Sequence, residues 1–215
     1  MLPWERLAGA ETPDGARLHL FRRGTEYSIR LDGGNELMNS RLSGSEEALA
    51  RLAAERLAPR PRVLIGGLGM GFTLRAMQAA RPDATITVAE IVPELVGWAK
   101  GEMAEVFGTS LNGVEIAVED VAEAIARGGW DAILLDVDNG PEGLTRPAND
   151  GLYSDAGLTT ARRALAPGGV LTVWSAHRAP GFARRMERAG FAVDEVPVRA
   201  GRTRGARHVV WVGAI

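Results

Sequence analysis

The chain has 215 residues, of which 46% are hydrophobic and 24% charged, which is enough to bury a full core without a covalent or metal staple. Its formal net charge of -2 gives no general attraction to nucleic acid or anionic membranes and favours a small or neutral partner. Because cysteine is absent and the three histidines are scattered along the chain, we expect neither a disulfide framework nor a metal site.

No segment of the sequence is predicted to enter a membrane. The first residues, MLPWERLAGAETPDG, lack the basic stretch followed by an apolar stretch that a signal sequence has. No apolar run approaches the roughly 18 residues that a membrane span requires. We therefore expect a soluble, cytoplasmic protein.

The N-terminal residues are predicted to form a short β-hairpin. Residues 17–23 and 26–32 alternate apolar and polar side chains and are separated by a Gly-Thr pair, which is typical of two antiparallel strands. Residues 46–57 then repeat leucine and alanine at helical spacing. We therefore divide the chain into a hairpin extension, 1–42, and a main domain, 43–215.

The most informative stretch of the chain is 62–100. It opens with an apolar run at 63–65 that fits a strand buried on both faces, and a helical pattern covers 72–81. Between them, glycines stand at alternate positions, namely Gly67, Gly69 and Gly71. Glycine in such a turn lets the backbone bend sharply and lets a ligand approach closely.

An acid follows the next predicted strand, 86–88. Glu90 lies about 20 residues beyond the glycine turn, where a carboxylate can bind both ribose hydroxyls. A surface acid at the end of a strand would also fit this position. Strand, glycine turn, helix, strand and acid together predict an adenosine-containing ligand.

Helices and strands continue to alternate after Glu90. The predicted elements are helix 93–104, strand 114–118, a helix near 121–127, strand 131–136, helix 154–165, strand 169–174 and helix 180–189. Such alternation predicts a parallel sheet with helices on both faces. Two strand-like runs, 191–198 and 208–212, break it at the end of the chain. We therefore predict a doubly wound, mostly parallel, seven-stranded Rossmann-like methyltransferase sheet that ends in an antiparallel strand pair.

Several motifs between about residues 31 and 173 resemble those of the spermidine and spermine synthases, which share the class I methyltransferase fold. LDGGNEL (31–37) is similar to the family's LDGVVQL, VLIGGLGMGFTLR (63–75) to VLIIGGGDGGTLR, and AEIVPELV (89–96) to EIDPEVV. Glu119-Asp120, Asp131–Asp136, Leu152-Tyr153 and PGG (167–169) resemble the family's Gly-Asp pair, the strand that ends in DSSDP, LY and PGG. Together these motifs are quite specific for the superfamily.

The resemblance implies a nucleoside sulfonium cofactor, either S-adenosylmethionine or its decarboxylated form. The implied cofactor-binding residues are Gly67, Leu68, Gly69, Met70, Gly71, Glu90, Ile91, Glu119, Asp120 and Asp136. Within this set the glycine turn would cradle the methionine end, Glu90 would hold ribose, Asp120 would hold adenine and Asp136 would face the sulfonium. Asp120 could instead be an acid that only begins a helix, where the helix dipole favours it. The resemblance also implies a possible homodimer.

The sequence departs from the family at three positions. The family's GGGDGG motif has an acid where this chain has Met70, and the last acid of its DSSDP motif is Asn139 here. The tyrosine of the family's Tyr-His-Glu motif is Ser45 here. In the family the first of these acids binds the aminopropyl amine. Its loss relieves repulsion against the carboxylate of ordinary S-adenosylmethionine, roughly 1 to 4 kcal/mol for like charges at ~4 Å. We therefore expect a methyltransferase with an unknown small-molecule acceptor.

Two alternatives remain open. The first is aminopropyl transfer from decarboxylated S-adenosylmethionine, with Asp138, Glu46 and Glu47 in place of the missing acids; a pocket rich in carboxylates would favour it. The second is a binding protein that kept the nucleoside pocket and lost the chemistry. Nucleic acid is an improbable partner because no basic stripe is interleaved with aromatic residues.

The candidate catalytic residues are Asp136, Asp138, Asn139, Tyr153 and His177. The first three follow the fourth strand of the main sheet, at the edge where open parallel sheets place their chemistry. Asp138 could replace the missing acid or only cap a turn, and Tyr153 could be an active-site wall or a packing residue. His177 could act as a general base near neutral pH. The loop over 137–151, rich in Gly, Pro and Asn, is the predicted acceptor gate.

Overall fold

The computed structural model describes residues 2–137, 140–141, 150–201 and 205–215. Its strands are β1 Glu5–Glu11, β2 Arg17–Arg23, β3 Glu26–Leu31, β4 Glu36–Asn39, β5 Arg62–Gly66, β6 Thr85–Ala89, β7 Glu115–Ala117, β8 Trp130–Leu135, β9 Leu165–Ser175, β10 Ala192–Arg199 and β11 Arg207–Ala214. Its helices are α1 Gly44–Ala54, α2 Phe72–Ala80, α3 Pro93–Lys100, α4 Ala104–Phe107, α5 Val121–Ala126, α6 Asp150–Tyr153, α7 Asp155–Ala164 and α8 Phe182–Arg188.

The main sheet has seven strands in the order β10-β11-β9-β8-β5-β6-β7. The five strands from β9 to β7 run parallel to one another, and β11 is antiparallel to both of its neighbours. The predicted fold class is therefore confirmed. The chain leaves β5 toward β6 on one side and returns through β8 on the other, so the order reverses between β5 and β8. Open parallel sheets bind ligands at the carboxyl ends of the strands beside such a reversal.

Helices cover both faces of this sheet, and successive residues of each strand enter different cores. Val63 and Ile65 of β5 belong to the core shared with α1 to α4, whereas Leu64 belongs to the core shared with α5, α7 and α8. The same alternation is seen in β8, where Ile133 and Leu134 enter opposite cores. Burial on both faces explains why these strands are continuous apolar runs in the sequence.

The predicted N-terminal hairpin is the centre of a larger sheet. β2 and β3 pair as expected, but β1 and β4 add one strand on each side, giving the order β1-β2-β3-β4. Leu20 and Ile29 are fully buried in the core that holds α1 to α4. The small sheet therefore packs against the same face of the main sheet as α1.

Other predicted bounds shift by a few residues. The helix expected over 93–104 is two helices, because the chain breaks at Gly101, whose φ of -113° and ψ of -99° are not helical. The strand expected over 169–174 begins earlier, at Leu165, and pairs with both β8 and β11.

Candidate active site

A cavity of about 290 Å³ lies at the carboxyl edge of the main sheet, beside the reversal of strand order. Its walls come from the glycine turn after β5, the residues after β6, the start of α5, the end of β8 and the start of α1. The small N-terminal sheet covers it with apolar side chains, namely Leu18, Leu31, Leu37 and Met38. The cavity is therefore formed both by the carboxyl edge of the main sheet and by the N-terminal extension.

The glycine turn is shaped by close backbone contact. Gly67 has a φ of +89°, and a Cβ at this position would lie 2.4 Å from the carbonyl oxygen of Asp136. At Gly71, with a φ of +70°, a Cβ would lie 2.5 Å from the ring of Phe107. Side chains are excluded at both positions, so the turn leaves its backbone open to the cavity that it lines. Leu68, Gly69 and Met70 of the same turn also line the cavity.

Glu90 is fixed at the cavity wall by two backbone hydrogen bonds. Its Oε2 accepts from the amide of Leu68 and its Oε1 accepts from the amide of Val92, both at 2.9 Å. Only 6% of the residue is exposed. The two bonds hold both carboxylate oxygens at the cavity wall. Ile91 lines the cavity beside it.

Asp120 and Glu119 also lie in the cavity wall. Asp120 is the N-cap of α5, since its Oδ1 accepts from the amide of Ala122 at 2.8 Å. Asp120 therefore caps α5 and lines the cavity at the same time. Glu119 forms an ion pair with Arg127, the C-cap of α5.

Two carboxyl groups from distant parts of the chain share the inner wall. Asp136, at the end of β8, accepts a hydrogen bond from Oγ1 of Thr73 at 2.6 Å. Burial, followed by the negative charge of Glu46, raises the pKa of Asp136 to about 7. Glu46 lies in the first turn of α1 and accepts from Oγ of Ser45 at 2.6 Å. Burial also raises the pKa of Glu46, with a further increase from the charge of Glu47.

A histidine of the last strand completes this wall. Nδ1 of His208 lies 3.0 Å from Oγ of Ser45, and its ring meets that of Trp174 edge to face at 5.0 Å. Burial and then the nearby His177 lower the pKa of His208, so its ring is neutral at pH 7. The sequence analysis did not single out His208, because a histidine in a terminal strand carries no motif. β11 is a continuous buried run after His208, so its local pattern gives no signal for this residue.

The candidate catalytic residues do not all meet at the cavity. Asp136 lines it. Tyr153 is buried in the other core, edge to face with Phe182 at 5.9 Å, which fits the packing alternative. His177 is exposed and lies outside the cavity wall. Asp138 and Asn139, with most of the predicted gate loop, lie outside the described residues.

The cavity has a strongly one-sided charge. Its wall holds five carboxyl side chains, those of Glu46, Glu90, Glu119, Asp120 and Asp136. Within the part of the chain that the structure describes, no lysine or arginine lines it, and its one basic side chain is the neutral His208. Such a lining favours a ligand that carries positive charge.

Two further searches cover the described residues alone. Over 2–137, 140–141, 150–201 and 205–215, no group of three or more His, Asp and Glu side chains has an arrangement that could hold a metal ion. No helix in these ranges is long and apolar enough to span a membrane.

The strand order, the glycine turn and the acid after the second parallel strand define the class I methyltransferase type of α/β fold. No family model matches the chain. In sequence it is 28% identical over 159 residues to polyamine aminopropyltransferases from Mycobacterium tuberculosis (strain H37Rv) and Mycobacterium bovis (strain AF2122/97). The match covers 71% of this chain but only 29% of those relatives. The chain thus spans less than a third of the length of the curated relatives that it matches.

Solved structures of spermidine synthases share its fold. The enzyme from Thermotoga maritima superposes with a TM-score of 0.76 at 17% identity, covering 97% of this chain and 72% of the other. A spermidine synthase in complex with the transition-state analogue AdoDATO gives 0.75 at 16% identity, with the same two coverages. A probable spermidine synthase from Corynebacterium glutamicum gives 0.62 at 18%, covering 98% and 79%. The resemblance to the spermidine synthases is therefore confirmed.

Proposed function

We propose that this protein is an aminopropyltransferase that uses decarboxylated S-adenosylmethionine and an amine acceptor. The observation that carries the proposal is the cavity wall, with five carboxyl groups and, within the described residues, no lysine or arginine. Decarboxylated S-adenosylmethionine carries a sulfonium and an ammonium and no carboxylate, and an amine acceptor is also cationic. Both substrates therefore suit this wall. The names of the relatives in sequence and fold point the same way.

The residues of the wall fit the nucleoside. At Gly67 and Gly71 a Cβ would collide with neighbouring atoms, so glycine lets the turn follow this path along the cavity wall. Glu90 and Asp120 both line the cavity, and the family resemblance implies that Glu90 accepts from ribose hydroxyls and that Asp120 contacts adenine. When bound, the donor supplies a carbon activated by its sulfonium.

The protein's part in such a transfer is to orient and to accept a proton. The acceptor nitrogen forms a bond to the carbon next to sulfur, the C–S bond breaks, and the sulfur leaves as a neutral thioether. An ammonium acceptor must lose one proton before its nitrogen can form this bond. A carboxylate of the cavity wall can accept this proton.

The expectation of methyl transfer depended on Met70, and the carboxyl groups of the cavity wall weaken it. Met70 does remove an acid from the glycine turn, and it is 3% exposed in the cavity wall. However, Glu46 and Asp136 bring two acids back to the same cavity from α1 and β8. The carboxylate of ordinary S-adenosylmethionine would meet repulsion from both. The comparisons likewise favour the aminopropyl alternative over the methyltransferase.

Calorimetric titration tests the proposal directly. The purified protein is titrated with decarboxylated S-adenosylmethionine and, separately, with S-adenosylmethionine, and release of methylthioadenosine is followed with diamines and polyamines as acceptors. We expect tighter binding of the decarboxylated form and release that depends on an amine. Tighter binding of S-adenosylmethionine would overturn the proposal in favour of methyl transfer. Binding of the decarboxylated form without turnover on any amine would instead identify a non-catalytic binding protein.

A further inference from the structure

Glu46 is placed by its surroundings rather than by any recognised motif. It stands in the first turn of α1, whose amide of Gly44 donates to the carbonyl of Ala200 at 2.8 Å. The preceding residue, Ser45, is fully buried and donates its hydroxyl to Oε2 of Glu46 at 2.6 Å. The carboxyl group is therefore held at the cavity wall by a helix start that is tied to the end of β10.

His208 orders the same contact from the opposite side. The hydroxyl of Ser45 has one proton, and it is used toward Glu46, so at 3.0 Å the Nδ1–H of His208 donates to Ser45. This fixes the tautomer of the ring as well as the hydroxyl. The hydrogen bonds therefore run from His208 through Ser45 to Glu46, and together they hold one carboxylate oxygen of Glu46 in place.

Asp136, which lines the same cavity and is affected by the charge of Glu46, is held in the same way by Thr73. Each of the two carboxyl groups accepts from a hydroxyl, and within the described residues neither has an ion pair with a lysine or arginine. Two carboxyl groups in one cavity wall repel each other unless a proton or a cation lies between them. A primary ammonium, with three donors, can satisfy both at once.

We infer that Glu46, together with Asp136, binds the primary ammonium of the aminopropyl group of the donor. This inference rests on the proposed function and assigns to Glu46 the role that the synthases give to the acid at the position of Met70. Asp136 lies against the glycine turn, since its carbonyl approaches Gly67, and this is the side where the donor's aliphatic end belongs.

Glu47 supplies a matched control. It is the next residue of α1, but it does not line the cavity, and its Oε1 accepts from Ser43 at 2.8 Å. Its charge acts on Arg75 of α2 as well as on the pKa of Glu46. Removing the charge of Glu47 therefore changes the same helix turn by the same chemistry without changing the proposed ammonium contact.

The test compares E46Q with E47Q by calorimetric titration. The probes are decarboxylated S-adenosylmethionine and 5′-methylthioadenosine, which has the same nucleoside but neither ammonium nor sulfonium. We expect E46Q to weaken binding of the first by about ten- to a hundredfold, as for loss of a charged hydrogen bond, and to leave binding of the second unchanged. E47Q should leave both unchanged. Unchanged binding of methylthioadenosine also shows that E46Q is folded.

The outcomes separate the two proposals. If E46Q binds the decarboxylated donor as tightly as the unsubstituted protein does, or loses both ligands equally, the assignment of Glu46 is wrong and the proposed function still stands. If E47Q has the same effect as E46Q, the assignment is also wrong, since a general change in helix charge would explain the result. If the unsubstituted protein binds neither nucleoside, the proposed function and this inference both fail.

Discussion

Oγ of Ser45 lies 3.0 Å from Nδ1 of His208, which joins the first helix after the N-terminal sheet to the last strand of the chain. A tyrosine at this position, as in the family, would not fit beside His208, because Ser45 is fully buried. The small side chain of serine, in place of the large tyrosine, thus leaves space for the ring of His208 to contact its hydroxyl. Ser45 also donates to Glu46, so we expect a change in the contact between Ser45 and His208 to affect function through the carboxylate of Glu46.

Replacing His208 by glutamine should weaken use of the donor without changing the nucleoside pocket. Loss of the Nδ1–H leaves Ser45 free to turn, so Glu46 is less well held. We expect KM for decarboxylated S-adenosylmethionine to rise about three- to tenfold, in line with one lost hydrogen bond, with little change in kcat or in affinity for methylthioadenosine. H177Q is the control, because His177 is exposed outside the cavity wall. An equal loss in both variants would contradict the positioning role of His208.

Affinity for the donor should increase with pH. The groups around Asp136 in the wall are Glu46 from α1, Glu90 after β6 and His208 from β11, with Thr73 as its hydrogen-bond donor. With a pKa of about 7, Asp136 is mostly protonated at pH 6 and mostly ionised at pH 8, while the donor ammonium stays charged. Binding of decarboxylated S-adenosylmethionine should therefore be tighter at pH 8 than at pH 6, and D136N should remove this dependence. Calorimetry at both pH values checks it; a D136N profile as steep as that of the unsubstituted protein would contradict it.

The sequence was sufficient for the main sheet because its signals are local. The run at 63–65, the glycine turn and the acid Glu90 follow one another within a single strand-turn-helix-strand unit, and each is fixed by its own backbone environment. β1 and β4 were missed for physical reasons. β1 has only partly buried or exposed residues, so its apolar alternation is weak, and β4 has four residues, too few for a period to show.

The composition of the cavity wall could not be predicted from local patterns. Glu46 is one of two adjacent acids at a helix start, and its burial depends on α1 packing over the ends of β8 and β11. His208 reaches the wall only because β11 is inserted beside β9. Such long-range pairing is set by the fold as a whole. For the same reason Glu47, which the sequence analysis offered beside Glu46 as a replacement acid, does not line the cavity.

Glu90 should contribute to every adenosine ligand, unlike Glu46. We propose that its carboxylate binds ribose, which decarboxylated S-adenosylmethionine and methylthioadenosine share. We expect E90Q to weaken both by similar factors, about tenfold or more, since an amide offers one acceptor oxygen in place of two. Titration with both ligands is the measurement. A loss confined to the decarboxylated donor would contradict the ribose role and suggest a purely electrostatic one. Thermal unfolding serves as the control, because the amides of Leu68 and Val92 also depend on this side chain.

The glycine turn should not tolerate a side chain. In G67A the new Cβ would meet the carbonyl of Asp136 at 2.4 Å and the residue would keep a φ of +89°, a combination of strain and overlap that costs about 1–3 kcal/mol. Gly97 is the matched control: it lies within α3, and a Cβ there meets nothing within 4 Å. G97A should therefore stabilise the protein, by up to about 1 kcal/mol. Urea unfolding of both variants measures this, and equal effects would show that the close approach at Gly67 relaxes freely.

Asp136 should also make the protein less stable as pH rises. For a carboxyl group whose pKa is higher in the folded state, at about 7, than in the unfolded chain, near 3.8, the folded state binds more protons between these values. The free energy of unfolding therefore falls from about pH 4 to pH 7. D136N carries no such charge, so it should gain stability relative to the unsubstituted protein between pH 5 and pH 8. Urea unfolding at both pH values gives the comparison. A difference between the two proteins that stays constant with pH would mean that Asp136 is ionised throughout, and that the wall does not hold the proton that an ammonium ligand would displace.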